Sequence, residues 1–300
     1  MLHVLGSINL DLIATGERLP LAGETVIGED FFTAPGGKGA NQALAAARAG
    51  ADVKMFGAIG NDRFAPLAMQ ELKKENIALS GVKNLVGTTG IALIMLNAQS
   101  ENTIMVIPGA NGKVDAEMAR QCTASMSGSD HLVLVQEIPA AAIKTALKGA
   151  KSRGATSILN IAPAIPETKK LALFADIIIA NETEILHLFE KNVPEEMIEQ
   201  YAAEWAKNNN KILILTLGKK GAIAFFENKK IKVEALKIRA IDTVGAGDSF
   251  CGYLAAGLDQ GNDLKTSLVH GVTAGSLACL KPSAQGAIPR MEDVKNAIST

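Results

Sequence analysis

The sequence has 300 residues, of which 48% are hydrophobic, so it is long enough to bury a substantial core in one large or two small domains. Its 30 Lys and Arg residues nearly balance 31 Asp and Glu residues, and without a basic tract this excludes the charge footprint of a nucleic-acid-binding protein. The cysteines lack a Cys-x-x-Cys spacing, no signal-peptide pattern is present and no apolar run approaches the ~20 residues of a membrane span, which together predict a cytoplasmic protein without a membrane partner.

Short apolar runs alternate with helical patterns along most of the chain. This alternation is typical of parallel strands covered by helices on both faces, and it predicts an open α/β sandwich with ligands at the carboxyl ends of the strands. The strand-like runs are Leu2–Asp11, Val53–Phe56, Leu132–Val135, Ser157–Leu159, Ile177–Ile179 and Ile212–Leu215. The helical patterns are Lys38–Ala49, Phe64–Glu75, Ala140–Arg153, Glu182–Phe189, Pro194–Asn208, Ala246–Leu258, Leu264–Lys281 and Glu292–Ile298.

Two stretches interrupt this alternation with strand signals. The first, Asp11–Pro35, holds turn residues around a strand-like segment, Glu24–Thr33, and contains no helical pattern. In the second, Gly90–Leu96 and Thr103–Ile107 flank a polar turn, Asn97–Asn102, which predicts a β-hairpin. We expect these insertions to form a small sheet that serves as a lid or an interface, and a surface sheet without function fits the same pattern.

A glycine-rich junction, Pro35–Gln42, precedes the first predicted helix. Its glycines let the backbone approach a ligand closely, and Lys38 and Asn41 add donors from the first helical turn. With Asn9 and Asp11 after the first strand, the junction offers amides and carboxylates suited to sugar hydroxyls. A plain loop-to-helix junction explains the pattern equally well. The junction is not a nucleotide P-loop, and the absence of Gly-x-Gly-x-x-Gly after the first strand disfavours a dinucleotide-binding dehydrogenase.

A second glycine-rich turn, Asp242–Phe250, follows a strand-like run, Lys237–Ile241, and leads into a helix. The N–H groups at a helix start have no internal partner and form an anion site, which Gly245 and Gly247 leave accessible. An aspartate there would repel an anion, so Asp248 is better interpreted as a base that acts on a hydroxyl attacking a phosphate. The alternative is a tight strand-to-helix turn in which Asp248 is only a helix-start residue.

Taken together, these segments resemble the PfkB family of carbohydrate kinases, also called the ribokinase family, over the whole chain. The motifs that carry the resemblance are Ser7–Asp11, Gly36–Ala43, Asn160–Ala164, Asn181–Glu184, Thr216–Gly221 and Asp242–Asp248. The resemblance implies a ribokinase-like three-layer α/β sandwich with a mostly parallel central sheet and a small β-sheet lid. We therefore expect a single domain over residues 1–300, inserted lid segments at 11–36 and 90–107, and a homodimer formed through the lid.

The resemblance implies an enzyme that transfers the γ-phosphate of ATP, with Mg²⁺, to the 5-hydroxyl of D-ribose and releases ribose 5-phosphate and ADP. Asp248 would take the proton from this hydroxyl, while the N–H groups of Gly245, Ala246 and Gly247 would stabilise the charge on the phosphate in transfer. Kinases for 2-deoxyribose, fructose or nucleosides share the turn and remain alternatives. A non-catalytic sugar-binding regulator on the same scaffold is a further alternative, which the intact Asp248 disfavours.

Binding residues are implied at the positions that match the family motifs. The implied sugar ligands are Asn9, Asp11, Gly37, Lys38, Gly39, Asn41, Glu137 and Asp248. The implied ATP ligands are Asn181, Glu184, Thr216, Gly218, Gly221 and Gly247. Asn181 and Glu184 would orient the magnesium–phosphate cluster, and their Asn-x-x-Glu spacing equally predicts a helix capping box. The Leu217–Gly221 segment likewise fits a plain hairpin turn.

The resemblance also implies activation by a monovalent cation such as K⁺. The implied ligands are the Asp242 carboxylate and the backbone carbonyls of Val244, Ala278, Lys281 and Ser283. The sequence departs here from the usual Gly-Ala-Gln-Pro/Ser-Ser segment, because it reads Ser283-Ala284-Gln285-Gly286-Ala287. Ala287 stands where the family has a serine whose hydroxyl joins the cation shell. We therefore expect weaker cation binding, or a shell completed by water.

Overall fold

The computed structural model of the chain describes residues 1–99, 101–189 and 193–299. The strands are β1 (Leu2–Leu5), β2 (Asn9–Thr15), β3 (Asp30–Gly36), β4 (Val53–Gly60), β5 (Ala78–Leu85), β6 (Gly90–Leu96), β7 (Asn102–Ile107), β8 (His131–Val135), β9 (Thr156–Asn160), β10 (Ile177–Asn181), β11 (Ile212–Thr216), β12 (Ala222–Phe226) and β13 (Lys229–Val233). The α-helices are α1 (Lys38–Arg48), α2 (Ala65–Ala68), α3 (Gln70–Lys74), α4 (Ala116–Ala124), α5 (Ala140–Ser152), α6 (Thr168–Ala172), α7 (Ile198–Asn209), α8 (Ala246–Asp259), α9 (Leu264–Ala278), α10 (Ala284–Ala287) and α11 (Met291–Ser299). Short 3₁₀-helices cover Gly109–Lys113, Glu184–Leu188, Glu195–Met197 and Gly218–Lys220. No helix among the described residues is long and apolar enough to cross a lipid bilayer.

The larger sheet has the strand order β13-β12-β11-β10-β9-β8-β1-β4-β5. All neighbours from β11 to β5 pair in parallel, and β12 and β13 add an antiparallel edge. Successive side chains of β8 point to opposite faces, where they enter different cores. Val133 packs in the core that contains Leu44 and Leu254, and Leu134 packs in the core that contains Leu147. These layers confirm the predicted α/β sandwich with a mostly parallel sheet.

A smaller sheet has the strand order β3-β2-β6-β7. Its β6 and β7 pair antiparallel, which confirms the predicted hairpin; the predicted turn Asn97–Asn102 includes Ser100, which lies outside the described residues. Strand β3 begins later than the predicted Glu24–Thr33 segment and continues to Gly36, where it pairs with Asn9 of β2. The division into one domain with lid segments at 11–36 and 90–107 stays a prediction.

The prediction that the first strand-like run forms a single strand is wrong, because the run divides between the two sheets. The chain leaves β1 at Gly6 and enters β2 at Asn9. Between these strands, the backbone N–H of Ala40 donates to the carbonyl of Ser7 at 2.9 Å. A Cβ on Gly39 would lie 2.6 Å from the Ser7 nitrogen, so the start of α1 presses directly against this break. This tertiary contact ends β1 and is not encoded in the local pattern.

The predicted strand Lys237–Ile241 is also wrong, because this segment is an exposed loop. The N–H of Ile241 donates to the carbonyl of Cys279 at 2.8 Å, so the loop is tied to the end of α9. Its β-branched residues resemble a strand, but β13 already forms the edge of the sheet, and its lysines discourage further pairing.

Several helical patterns differ from the observed elements in extent. The predicted Phe64–Glu75 helix divides into α2 and α3 at Met69, and the predicted Glu182–Phe189 helix is a 3₁₀-helix over Glu184–Leu188. The α9 helix ends at Ala278, before the predicted Lys281. Elements that the pattern missed are α4, α6, α10, β5, β12 and β13.

Helices α1 and α8 pack closely over the central sheet, and this contact determines where the glycine-rich segments meet. A Cβ on Gly252 of α8 would lie 2.5 Å from both the Ala45 Cβ and the Gln42 carbonyl oxygen of α1. Only glycine allows this approach, since real Cβ atoms do not pack at such distances. Because residues four apart share a helix face, Asp248 lies one turn before Gly252 and faces the start of α1.

Candidate active site

Asp248 lies in the first turn of α8 and is 5% exposed. Asn41 Nδ2 donates to one carboxylate oxygen and Gln42 Nε2 donates to the other, each at 2.9 Å. Both donors come from the first turns of α1. The two predicted glycine-rich segments, separated by about 200 residues, are therefore joined by direct hydrogen bonds on this carboxylate.

The start of α8 forms an open anion site. Gly245 adopts a left-handed conformation (φ 77°), and a Cβ there would lie 2.8 Å from Ala284 Cα. The first backbone bond of the helix runs from the Ser249 N–H to the Gly245 carbonyl at 2.8 Å. The N–H groups of Gly247 and Asp248 precede it, and a Cβ on Gly247 would meet no other atom within 4 Å. Helix-start N–H groups beside open space are suited to bind a phosphate.

Lys38 supplies the positive charge of this cluster. The negative charge of Asp248 raises the pKa of Lys38 above its usual value, against the opposing effect of burial, and Glu137 and Glu184 add to the increase. The backbone N–H of Lys38 also donates to Glu137 Oε2 at 3.1 Å, and the Ser7 hydroxyl donates to the same oxygen. The structure thus places Glu137 beside the Lys38 turn.

Asn9 and Asp11 face this cluster from β2. Asn111 Nδ2 donates to Asn9 Oδ1 at 2.7 Å, and Asn111 Oδ1 accepts the Ile8 N–H at 2.9 Å. Asp11 packs against Gly36, where a Cβ would lie 2.5 Å from each carboxylate oxygen. Burial raises the pKa of Asp11 to about 7, with further contributions from Glu137 and Asp248. No local pattern in the sequence pointed to Asn111, because its contact with Asn9 spans 102 residues.

A cavity of about 370 Å³ opens beside Asp248. Its wall contains the predicted residues Lys38, Asn181, Glu184, Thr216, Val244, Gly245, Gly247 and Asp248. It also contains Asn160, Thr243 and Cys251, which were not predicted as site residues. A wider surface groove of about 980 Å³ between α7 and β12 is lined by acidic and basic side chains and holds none of the predicted site residues. We therefore assign the smaller cavity to the site.

Asn181 and Glu184 form a reciprocal capping box at the cavity wall. Asn181 Oδ1 accepts the Glu184 N–H at 2.8 Å, and Glu184 Oε2 accepts the Asn181 N–H at 3.0 Å. Burial raises the pKa of Glu184. Among the described residues, no group of three or more His, Cys, Asp or Glu side chains could hold a metal ion. A divalent ion here would therefore rely on one or two carboxylates, phosphate oxygens and water, which is how Mg²⁺ is commonly bound.

The Leu217–Gly221 segment connects β11 to the antiparallel β12, as the hairpin interpretation predicts. Thr216 lies on the cavity wall, but Gly218 and Gly221 are absent from it. Both glycines have positive φ, at 51° and 93°, so the turn itself explains their presence. The structure thus brings only Thr216 of this group to the site.

Asp242 links the α8 turn to the segment before α10. Its two carboxylate oxygens accept the N–H groups of Val244 and Ser283, each at 3.0 Å. Ser283 has φ 79° and ψ 148°, at the position where the family has glycine. For a residue with a Cβ, this conformation costs on the order of 1–3 kcal/mol. Ala287, at the end of α10, is buried and has no side-chain oxygen.

The family profile described as pfkB family carbohydrate kinase matches residues 1–291. The chain belongs to this family. This kinase is similar to the ribokinases of Lactococcus lactis subsp. lactis (37% identical, over 97% of this chain and 95% of that protein) and Bacillus subtilis (34%, over 99% and 98%). Among solved structures, it is similar to Arabidopsis thaliana ribokinase complexed with ribose and ATP (TM-score 0.88, 28% identical, over 100% of this chain and 98% of that chain).

We predict that Asp11→Asn stabilises the sugar-free kinase in a pH-dependent way. The pKa of Asp11 is about 7 in the folded protein, against an ordinary value of 3.8. Between these two pH values the folded wild type holds a proton that the unfolded chain has released, so its stability falls as the pH rises through this range. Asparagine cannot ionise. The free energy of unfolding of the Asp11→Asn variant, relative to that of the wild type, should therefore increase by about 1–3 kcal/mol between about pH 5 and about pH 8.

Urea unfolding of both proteins at the two pH values measures this difference. Asp30→Asn, at the exposed end of the same small sheet, controls for the removal of a carboxylate. An equal difference in free energy of unfolding between the variant and the wild type at both pH values would show that Asp11 does not titrate between them.

Proposed function

We propose that this chain is an ATP-dependent ribokinase, which converts D-ribose and ATP to ribose 5-phosphate and ADP. The observation that carries the proposal is the position of Asp248. This buried carboxylate lies at an open helix start, between the polar cluster of Asn9, Asp11 and Asn41 and the cavity next to Gly247. The reaction takes place in the cytoplasm, in keeping with three free cysteines. The likeness over the full chain to ribokinases supports the choice of sugar.

In this proposal, Asp248 accepts the proton of the ribose 5-hydroxyl as it attacks the γ-phosphate. The loosely bonded transition state of phosphoryl transfer needs little basicity, so positioning is the main task of this carboxylate. The N–H groups of Gly245, Ala246 and Gly247 stabilise the charge on the transferred group, because the turn fixes their backbone before the reaction begins. The Ala246 N–H also donates to the Thr243 carbonyl, at a long 3.3 Å, and would have to turn from it toward the phosphate. Lys38, which is held in its charged form, adds a positive charge to the same region.

The ribose lies against the start of α1 and the inner side of the small sheet. The proposed ligands are Asn9, Asp11, Gly37, Lys38, Gly39, Asn41 and Glu137, with Asp248 at the reacting hydroxyl. Carboxylates accept hydrogen bonds from sugar hydroxyls, and the amides of Asn9 and Asn41 can both donate and accept. Gly37 has φ 88° and Gly39 contacts Ser7 closely, so these glycines bring backbone near the ligand.

ATP occupies the 370 Å³ cavity, with Asn181, Glu184, Thr216 and Gly247 at its phosphate end and the turn of Gly218 and Gly221 beyond it. Mg²⁺ would be held through Glu184 and the phosphates, largely by water, since Mg²⁺ usually keeps several of its waters. Bound Mg²⁺ supplies charge neutralisation of the β- and γ-phosphates. The Arabidopsis thaliana ribokinase complexed with ribose and ATP supports both substrates.

A monovalent cation such as K⁺ fits the segment around Asp242. The proposed ligands are the Asp242 carboxylate and the carbonyls of Val244, Ala278, Lys281 and Ser283. Asp242 accepts the N–H groups of Val244 and Ser283, so the backbones of both segments lie next to its carboxylate. Ala287 contributes no side-chain oxygen, and the shell is one ligand short.

A kinase for 2-deoxyribose is the second candidate. A deoxyribokinase of Salmonella typhi is 31% identical over 99% of this chain and 98% of that protein. In a site built for ribose, the deoxy sugar lacks one hydroxyl and would leave a buried polar group without its hydrogen-bond partner. This disfavours binding of the deoxy sugar. Fructose, nucleosides and a non-catalytic sugar-binding role are further alternatives, which the same assay distinguishes.

The assay measures ADP formation with Mg-ATP and a panel of sugars and nucleosides, with and without K⁺. We expect ribose to give the highest kcat/KM. Asp248→Asn should lower kcat by several orders of magnitude while ribose binding, measured by calorimetry, largely survives. No sugar-dependent ADP would rule out a kinase, and preference for another sugar would rule out only ribose. Near-normal turnover by Asp248→Asn would remove Asp248 as the base.

Ala287→Ser tests the cation proposal. A restored hydroxyl adds one oxygen ligand, so the K⁺ concentration for half-activation should fall by about 2- to 10-fold, which corresponds to one ordinary polar contact. ADP formation is measured against K⁺ concentration. Ala124→Ser, on the exposed side of the distant α4, controls for an added hydroxyl. An unchanged or higher K⁺ requirement would contradict the assignment of Ala287 to the shell.

The small sheet is the proposed homodimer interface. Strand register places Phe31, Leu93, Met95 and Met105 on the sheet face opposite to Asn9 and Asp11. Phe31 is 62% and Met105 65% exposed, although exposed apolar patches are uncommon on monomers. Pairing two such sheets would bury this face.

Sedimentation equilibrium should therefore give twice the chain mass of 31.4 kDa for the wild type. Met105→Lys should shift the protein toward the monomer, because a charge cannot be buried in such an interface without a partner. Lys83→Met, on β5 of the larger sheet, controls for a change of the same size away from this face. A monomeric wild type would refute the interface.

A further inference from the structure

Two buried glutamines lie behind the Asp248 carboxylate, and the functions proposed above assign neither. Gln42 and Gln285 are both 0% exposed. Gln42 Nε2 donates to Asp248 Oδ1 at 2.9 Å. Gln285 Nε2 donates to Asn41 Oδ1 at 3.1 Å, and Asn41 in turn donates to Asp248 Oδ2. Three amides therefore form a connected set of hydrogen bonds that ends on both oxygens of one carboxylate.

The orientation of Asp248 depends on these bonds. The last side-chain torsion of aspartate is soft, so the plane of the carboxylate is set by its hydrogen-bond donors. One donor on each oxygen fixes that plane. With Gln42 removed, Asn41 alone would hold Oδ2, and the carboxylate could rotate away from the cavity. Bonds to a charged acceptor are about twice as strong as neutral ones, so the loss of one is substantial.

Both glutamines are themselves firmly held by their backbones. The Gln42 carbonyl lies where α1 meets Gly252 of α8. The Gln285 carbonyl accepts a bond from Arg48 Nη1 at 2.8 Å, and Arg48 pairs with Glu75 at 3.1 Å. The two amides therefore reach Asp248 and Asn41 from fixed positions, as the support of a catalytic group requires.

The side-chain oxygens of the two glutamines indicate that these residues serve function and not stability. Among the described residues, the buried Oε1 atoms of Gln42 and Gln285 have no hydrogen-bond partner. A buried acceptor without a partner costs about 1–3 kcal/mol. An apolar side chain would avoid this cost, so the amide donors are retained at the expense of stability. Such a conflict is typical of functional sites.

We propose that Gln42 and Gln285 are positioning residues of the phosphoryl transfer. Gln42 fixes the carboxylate of Asp248 toward the attacking hydroxyl, and Gln285 fixes Asn41 toward the sugar. This inference rests on the proposed function. It also distinguishes the two residues: Gln42 acts on the chemical step through Asp248, whereas Gln285 acts on sugar binding through Asn41.

The test compares Gln42→Met and Gln285→Met with Gln260→Met. Gln260 Nε2 donates to the Ala49 carbonyl at 3.1 Å and thereby joins the same two helices at their other ends. Gln42→Met should lower kcat by about 10- to 100-fold, the equivalent of one bond to a charged group, and leave the ribose Kd within about twofold. Gln285→Met should weaken ribose binding by about 2- to 10-fold, with a smaller loss of kcat. Gln260→Met should change neither quantity.

A double-mutant cycle separates positioning from general structural damage. If Gln42 acts through Asp248, then Gln42→Met should not reduce the residual rate of Asp248→Asn any further. An equal loss in both backgrounds, or an unchanged kcat in Gln42→Met alone, would overturn the role of Gln42. An unchanged ribose Kd in Gln285→Met would overturn the role of Gln285.

Gln42→Glu serves as a second variant if Gln42→Met does not fold. It keeps the shape of the side chain but replaces the donor with an acceptor, so kcat should fall at least as far. A normal kcat in this variant would also overturn the proposal. If the wild type forms no ADP with ribose, the proposed function fails and this inference with it; an active wild type with unaffected Gln42 variants refutes the inference alone.

Discussion

The close contact between α1 and α8 is the constraint on which the site depends. Gly252 allows the two backbones to approach until the Gln42 carbonyl oxygen lies only 2.5 Å from the position that a Cβ would take. One turn earlier, this proximity brings the first turn of α1 within hydrogen-bond distance of Asp248. A larger residue at position 252 would separate the helices, and the Asp248 carboxylate would lose both of its donors. The proposed sugar-binding segment and the proposed phosphate-binding segment are thus one unit because of a packing contact.

The carboxylates and the lysine of this unit differ in the groups that they can bind. Asp11, Glu137, Asp248 and Glu184 surround a single lysine, Lys38, so negative charge is in excess. Burial and this excess raise the pKa of Asp11, which costs the empty protein stability as the pH rises, whereas the carboxylates raise the pKa of Lys38 and so stabilise its charged form in the folded protein. A sugar hydroxyl can donate to such carboxylates, and a phosphate can accept from Lys38 and from the start of α8. The arrangement therefore favours the occupied site over the empty one.

Local chemistry in the sequence was enough to predict the two glycine-rich turns and the helices that follow them. Glycine conformations and helix-start N–H groups act over a few residues, so Gly245–Asp248 and the start of α1 were predictable. Contacts between distant segments were not. Gln42, Gln285 and Asn111 matter because of partners more than 100 residues away. The same cause explains the errors at Gly6–Ile8 and Lys237–Ile241, where the local pattern resembles a strand and tertiary contacts decide otherwise.

The α10 segment shows how such distant contacts can maintain an unfavourable backbone. Ser283 keeps the positive φ of a glycine position although its Cβ disfavours it. Three anchors surround this four-residue helix: Asp242 accepts the Ser283 N–H, Arg48 donates to the Gln285 carbonyl, and the Gln285 side chain donates to Asn41. Backbone strain such as that of Ser283 persists where several surrounding contacts hold the conformation in place. Because one of the anchors ends on Asn41, which also donates to Asp248, the α10 segment belongs to the same hydrogen-bond network as that carboxylate.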